Sequence, residues 1–336
     1  MNPDVLKAVT ARYAVSITDH VAGLMQGEAG QDPIATQYIP QARELTTLPE
    51  ELSDPIGDEA HSPVKGIVHR YPDRVLFKPV QVCAVYCRYC FRREHVGPSS
   101  GVLKPEERTA ALDYIRSHPE IWEVILTGGD PLVLSVRQLQ EIIGALETIP
   151  HVQVIRIHTR VPLADPVRIT PQLCDMLRAC TKPLYMAVHV NHVQELSPEV
   201  HTALKILHES GVVLLSQSVL LKGINDSAEV LEALFRALVA RKVKPYYLHH
   251  PDLAAGTSHF RVSIAEGQAL MQALQGRVSG VCLPTYMLDI PAGHGKVPLT
   301  PCYIAPDPQG GYQVTDYRGT THLYAPETER RAENTP

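Results

Sequence analysis

From about residue 67 onward, short runs of apolar and β-branched residues alternate with longer stretches whose apolar positions recur every three to four residues. The short runs fall at 74–82, 123–126, 152–158, 184–190, 212–219, 245–249 and 280–288, and they read as strands. Between them, 105–117, 135–148, 170–179, 197–210, 228–240 and 263–274 show helical spacing behind a capping residue or an opening turn. Such alternation demands parallel strands joined by right-handed crossovers. About six such units predict an α/β fold, a partial (β/α)6-type barrel, with a doubly wound open sheet as the alternative.

The flanks read differently. Residues 1–65 predict an N-terminal helical and extended segment, with helical spacing from Asp4 to Val15. Within it, 38–63 is rich in Pro, Glu and Asp and reads as an extended connection. The barrel core is expected over 66–296, and 297–336 is a Pro- and Gly-rich tail whose polar end, 327–336, reads as disordered. No internal repeat appears beyond the βα alternation.

Composition narrows the class. The 336 residues are 44% hydrophobic, enough for a large core, and the net charge of -5 supplies no basic face for nucleic acid. No apolar run is long enough to span a membrane, and the charged first twenty residues lack a signal core, so a cytoplasmic protein is expected.

In a β/α barrel, chemistry gathers where strands end. Polar residues recur there: Cys83 to Cys90, Gly128–Gly129–Asp130, His158 and Arg160, His189 and Asn191, Gln217, His249 to Asp252, and Asp289. Three of the seven cysteines, Cys83, Cys87 and Cys90, crowd into eight residues, which is not a disulfide framework. Three thiolates in one short loop reach three irons of a cubane cluster and leave the fourth iron open. The rival is structural zinc with His95 as fourth ligand, but zinc prefers four closed ligands, usually in two pairs.

A CxxxCxxC run directly after a strand, followed one strand later by Ile125-Leu126-Thr127-Gly128-Gly129-Asp130-Pro131, resembles the radical S-adenosylmethionine (SAM) superfamily. That resemblance implies a [4Fe-4S] cluster on Cys83, Cys87 and Cys90. It also implies SAM on the open iron, near the Gly128–Gly129–Asp130 turn, where glycine lets backbone approach the cofactor. Further segments resemble lysine 2,3-aminomutase, in order, over roughly residues 60–300. They are His69-Arg70-Tyr71-Pro72-Asp73-Arg74, Arg92 after the last cysteine, Gln217, Tyr246 to Asp252, and Val281 to Asp289, ending in Asp289-Ile290-Pro291-Ala292-Gly293-His294-Gly295-Lys296.

The aminomutase resemblance implies pyridoxal phosphate (PLP) carried on Lys296, with Arg70 and Arg74 on its phosphate and Tyr71 beside it. It further implies SAM contacts from Gln217 and His189, Arg92 on the substrate carboxylate, and Asp252 with Asp289 on the lysine ε-ammonium. The implied activity is an isomerase that moves the amino group of L-lysine from Cα to Cβ, with an electron donor such as flavodoxin or ferredoxin as partner and homo-oligomerisation left open.

The chain also departs from the family. Its tail has only Cys302 where full-length aminomutases cluster zinc-binding cysteines, so no zinc site is expected. The lysine turn reads Ala-Gly-His-Gly-Lys rather than all glycine. The loop Cys-Arg-Tyr-Cys-Phe-Arg-Arg is closer to short relatives that make (R)-β-lysine for elongation factor P, yet Asp289, expected to be absent there, is present. Glutamate as substrate conflicts with paired Asp252 and Asp289. Arginine, and a metal-binding scaffold without catalysis, remain as alternatives.

Overall fold

A computed structural model describes residues 3–98 and 101–326, so the 327–336 end lies outside the described residues. Three short helices come first, α1 (Pro3–Arg12), α2 (Asp19–Leu24) and α3 (Pro33–Tyr38). Then β1 (Ile67–Tyr71) and β2 (Arg74–Val80) form a hairpin. The alternation follows as α4 (Pro105–Ser117), β3 (Glu123–Gly128), α5 (Val136–Glu147), β4 (Val154–Thr159), the single turn α6 (Val161–Ala164), α7 (Pro171–Arg178) and β5 (Leu184–His189). It continues through α8 (Pro198–Glu209), β6 (Val213–Val219), α9 (Ala228–Val239), β7 (Lys244–His249), α10 (Ile264–Leu274) and β8 (Thr285–Ile290). Past β9 (Gly295–Pro298), three strands, the exposed β10 (Ile304–Pro306) and β12 (Thr321–Tyr324) flanking the half-buried β11 (Tyr312–Thr315), make a separate meander.

Strand order decides between the two architectures. The nine-stranded sheet runs β1 to β9 in chain order, with β2 through β8 all parallel. A doubly wound sheet reverses its order at a switch point, and this one never does. Crossovers of one hand without reversal put every helix on the same face, so the other face curls inward as a partial barrel. β1 and β9 pair antiparallel on the two edges, and the sheet does not close on itself.

Helix starts follow local chemistry. Ser135, Thr170, Ser197, Ser227 and Ser263 each accept a backbone N–H of the first turn of the helix that follows. The apolar faces so aligned, such as Leu139, Ile142 and Leu146 of α5, pack on strand residues Val124, Leu126 and Ile155 in one continuous core.

Two expectations need correction. In the expected strand 280–288, the strand starts only at Thr285, because Gly280–Cys282 forms a 3-10 turn. The acidic stretch 38–63 is not extended throughout, since it folds into 3-10 turns at Ala42–Leu45 and Glu59–His61. It straps the barrel, and three of its acids are buried against arginines: Glu44 on Arg88 and Arg93, Glu51 on Arg261, Asp58 on Arg70 and Arg92. Linker-like composition here encodes buried ion pairs.

Candidate active site

A cavity of about 520 Å³ runs through the barrel interior, from the cysteine loop at the strand C-termini to charged residues near their N-termini. Cys83, Cys87 and Cys90 line its upper end, on the loop after β2. The N-terminal strap bolts this loop down. Arg88 N donates to Gln37 O at 2.8 Å, and Glu44, fully buried, takes the guanidinium groups of Arg88 and Arg93.

All three cysteines are free thiols. Burial pushes Cys83 well above an ordinary thiol, with Asp130, Cys90 and Cys87 adding to it, and pushes Cys90 up to about 11. Thiols so placed ionise only when a cation takes their charge, as an iron centre does. Among the described residues no three His, Cys, Asp or Glu side chains stand together tightly enough to hold one metal ion. A cubane asks for wider spacing, since each thiolate binds a different iron. The donor set therefore fits a three-cysteine cluster.

Gly128 and Gly129 lie beside the loop, and the structure gives them a reason the sequence did not show. A Cβ on Gly128 would sit 2.2 Å from Val80 O, and one on Gly129 2.3 Å from Val82 O. Gly129 N and Asp130 N donate to those same carbonyls at 2.7 and 2.9 Å. The glycines let β3 end against the root of the cysteine loop. Asp130's carboxylate is equally engaged, accepting from Leu132 N, Thr159 Oγ1, Arg160 N and Val161 N. Only backbone from this turn is left to face a ligand.

The adjoining wall is His158, His189, Gln217 and Arg160. Burial, then nearby cations, holds His158 well below an ordinary histidine. The same causes bring His189 down to about 3, so both rings are neutral at pH 7. Gln217 Nε2 lies 3.3 Å from His158 Nε2. Arg160 is tied to Glu195 at 2.6 Å and Gln37 at 2.7 Å, and to the Tyr38 and Tyr89 hydroxyls. Asn191 does not line the cavity: it accepts from Val219 N and donates to Gln37, bracing the loop after β5.

Lys296 enters from the far edge of the sheet. The β8–β9 hairpin sets it directly opposite Asp289, and its ammonium is bound by both Asp289 oxygens. The turn between them needs left-handed backbone at Ala292 (φ 62°) and Gly293 (φ 84°). Alanine accepts this at roughly 1–2 kcal/mol. Lys296 N donates to the Tyr71 hydroxyl at 2.8 Å, and Arg74 lies over the Tyr71 ring at 3.8 Å. Arg70 stands 3.9 Å from Asp289, as does His249, a neutral ring that burial and Lys296 bring down to about 3. Asp252 lines the same end, as does Arg92.

The structure thus brings the cysteines, the Gly128–Gly129–Asp130 turn, His158, Arg160, His189, Gln217, His249, Asp252, Asp289, Lys296, Arg70, Tyr71, Arg74 and Arg92 to one cavity, and leaves Asn191, His95 and His250 outside its lining. Others were not anticipated. Glu123 and Arg156, an ion pair at 2.9 Å, and the linked hydroxyls of Tyr246 and Tyr247 line the lower end. A readable signal existed, since a charge inside an otherwise apolar barrel strand needs a buried partner. Asp58, behind Arg92, carried no signal.

A family description, Radical SAM superfamily, matches residues 77–235, from β2 through α9, and the chain is a radical SAM enzyme. A second, Lysine-2,3-aminomutase, matches residues 271–335. The L-lysine 2,3-aminomutase of Clostridium subterminale is 39% identical over 311 residues, covering 93% of this chain and 74% of that protein. That of Methanococcus maripaludis is 39% identical, covering 96% and 74%. A glutamate 2,3-aminomutase of Clostridioides difficile is 38% identical, covering 89% and 70%. The chain belongs to the lysine 2,3-aminomutase family. These are isomerases, and the family uses a [4Fe-4S] cluster, SAM and PLP. Among the described residues no helix is long and apolar enough to cross a membrane.

Proposed function

We propose that this chain converts L-lysine to β-lysine by moving the amino group from Cα to Cβ. The observation that carries this reading is the pair Asp252 and Asp289, facing one cavity that also holds Lys296 and Arg92. Identity alone does not choose the substrate, since lysine and glutamate aminomutases are about equally similar to the chain. Two carboxylates suit a substrate side chain ending in a cation and repel one ending in a carboxylate.

Each residue then has a task. Cys83, Cys87 and Cys90 would hold the cluster. The Gly128–Gly129–Asp130 backbone, His189 and Gln217 would form the SAM wall. Lys296, Arg70, Arg74 and Tyr71 would hold PLP. When bound, these groups supply hydrogen-atom abstraction and a carrier for the migrating nitrogen. The protein aligns the substrate at both ends and keeps water out. Arg92 would take the α-carboxylate: its Nε is on Asp58, and its two Nη groups make no hydrogen bond among the described residues. The electron for the cluster comes, on this reading, from a flavodoxin or ferredoxin.

The test is anaerobic reconstitution with iron, sulfide and PLP, reduction, and incubation with SAM and an equal mixture of lysine, arginine and glutamate. β-Lysine as the main product is expected, and its chirality separates supply of (R)-β-lysine for elongation factor P from other uses. Conversion of arginine instead would sink the substrate assignment.

A pH dependence follows. Burial, then the neighbouring Asp289, pushes the Asp252 carboxyl up to about 7. A raised acid keeps its proton in the folded state, so its stabilising contribution is complete below about pH 4 and is lost as pH rises through about 7. Binding an ammonium favours the ionised form, so substrate binding runs the other way. KM for lysine should fall about tenfold from pH 6 to pH 8. Asp252→Asn should flatten that profile, and a flat wild-type profile would remove Asp252 from the ammonium site.

A further inference from the structure

Asp58 lies on the strap, outside every segment discussed as a cofactor or substrate contact. Its side chain is almost wholly buried and receives three cations. Oδ2 accepts from Arg92 Nε at 2.9 Å and pairs with Lys78 Nζ at 3.3 Å, while Oδ1 accepts from Arg70 Nη2 at 3.2 Å. Burial alone would raise this acid, yet Arg92, Lys78 and Arg70 together hold it well below an ordinary carboxylate.

The loop that carries Asp58 is rigid. Asp54 accepts the N–H groups of Asp58 and Glu59 at 2.9 and 2.8 Å. Gly57 has φ 65°, and a Cβ there would lie 2.7 Å from the Ala292 carbonyl carbon. Ala292 N donates to Pro55 O at 3.2 Å, and Arg70 Nη2 to Ile56 O at 2.5 Å. One short loop thus touches the lysine turn, the β1–β2 arm and the cysteine loop. Three cations on one carboxylate leave two positive charges in excess, matching a substrate carboxylate and a cofactor phosphate.

We propose that Asp58 is a positioning residue that aims Arg92 at the amino-acid carboxylate and locks it to Arg70, tying the two anion sites into one unit. It touches neither ligand. By occupying Nε of Arg92 it turns the Nη pair outward, the edge a carboxylate engages through two parallel hydrogen bonds. The proposal rests on the reading of Arg92 as the carboxylate ligand, and the test separates the two.

The test compares equilibrium binding of L-lysine and of 1,5-diaminopentane, which lacks the carboxylate, to PLP-loaded wild-type, Asp58→Asn and Arg92→Lys proteins. Asp58→Asn should weaken lysine by about 10-fold to 100-fold, the scale of a misdirected charge-assisted contact. It should leave diaminopentane and the visible absorption of the reconstituted cluster within about twofold, well inside one charged hydrogen bond. Equal weakening of both ligands means a merely structural role and overturns the proposal, as does no change in either. If Arg92→Lys discriminates between the ligands and Asp58→Asn does not, the Arg92 reading stands and Asp58 is dismissed. If Arg92→Lys fails to discriminate, the Arg92 reading falls, and the proposal with it.

Discussion

Cys87→Ala should abolish reductive SAM cleavage while the protein stays folded. On the proposed assignment, removing one of three thiolates leaves two, and a cluster on two ligands is not retained. Losing a hydrogen-bond partner of a metal ligand costs roughly 10-fold to 100-fold, and losing the ligand itself must exceed that. The fold should tolerate the change. Cys87 sits at the margin of a small apolar cluster formed by Val21, Ile34, Tyr38, Val85 and Ala164, away from the main core. Truncation there should cost on the order of 1 kcal/mol. The measurement is iron content and 5′-deoxyadenosine yield beside a thermal unfolding curve. Undiminished cleavage would remove Cys87 from the cluster.

Lys296→Ala should abolish conversion of lysine yet leave SAM cleavage measurable, because Lys296 stands on β9 and the cysteine loop follows β2. Alanine also strips Asp289 of the ammonium bound to both its oxygens, leaving that buried carboxylate with Arg70 and His249 at 3.9 Å. Some instability would follow from that alone. Lys296→Arg separates the effects: it keeps a cation opposite Asp289 but cannot carry PLP covalently. Both variants should make no β-lysine and lack the visible absorption of covalently held PLP. Turnover in Lys296→Arg would overturn the assignment.

The barrel was legible because its signals are local. Serine and threonine caps, helical spacing and short β-branched runs placed six of the seven helices of the alternation, all but the single turn α6, and most strands. The Cys83–Cys87–Cys90 spacing and the segment around Lys296 were legible for the same reason, since each lies within a dozen consecutive residues. What failed to show was non-local. β9 was not anticipated, because an edge strand that pairs antiparallel across a four-residue turn has no apolar run of its own. The packing of the strap did not show, because Glu44, Glu51 and Asp58 meet their arginines, up to 210 residues away in sequence, only in the folded chain.

By itself, the sequence determined the βα alternation, the three-cysteine loop and the residue types around the cavity, since periodicity, capping and ligand spacing act over a few neighbours. Tertiary structure alone decided strand order, and so the choice of a partial barrel over a doubly wound sheet. It also decided why Gly128 and Gly129 must be glycine, that Lys296 faces Asp289, and that Asp58 holds Arg92 and Arg70. Each of these depends on groups far apart in the chain meeting where water is excluded. There charge pairing and backbone contact become strong enough to fix orientation.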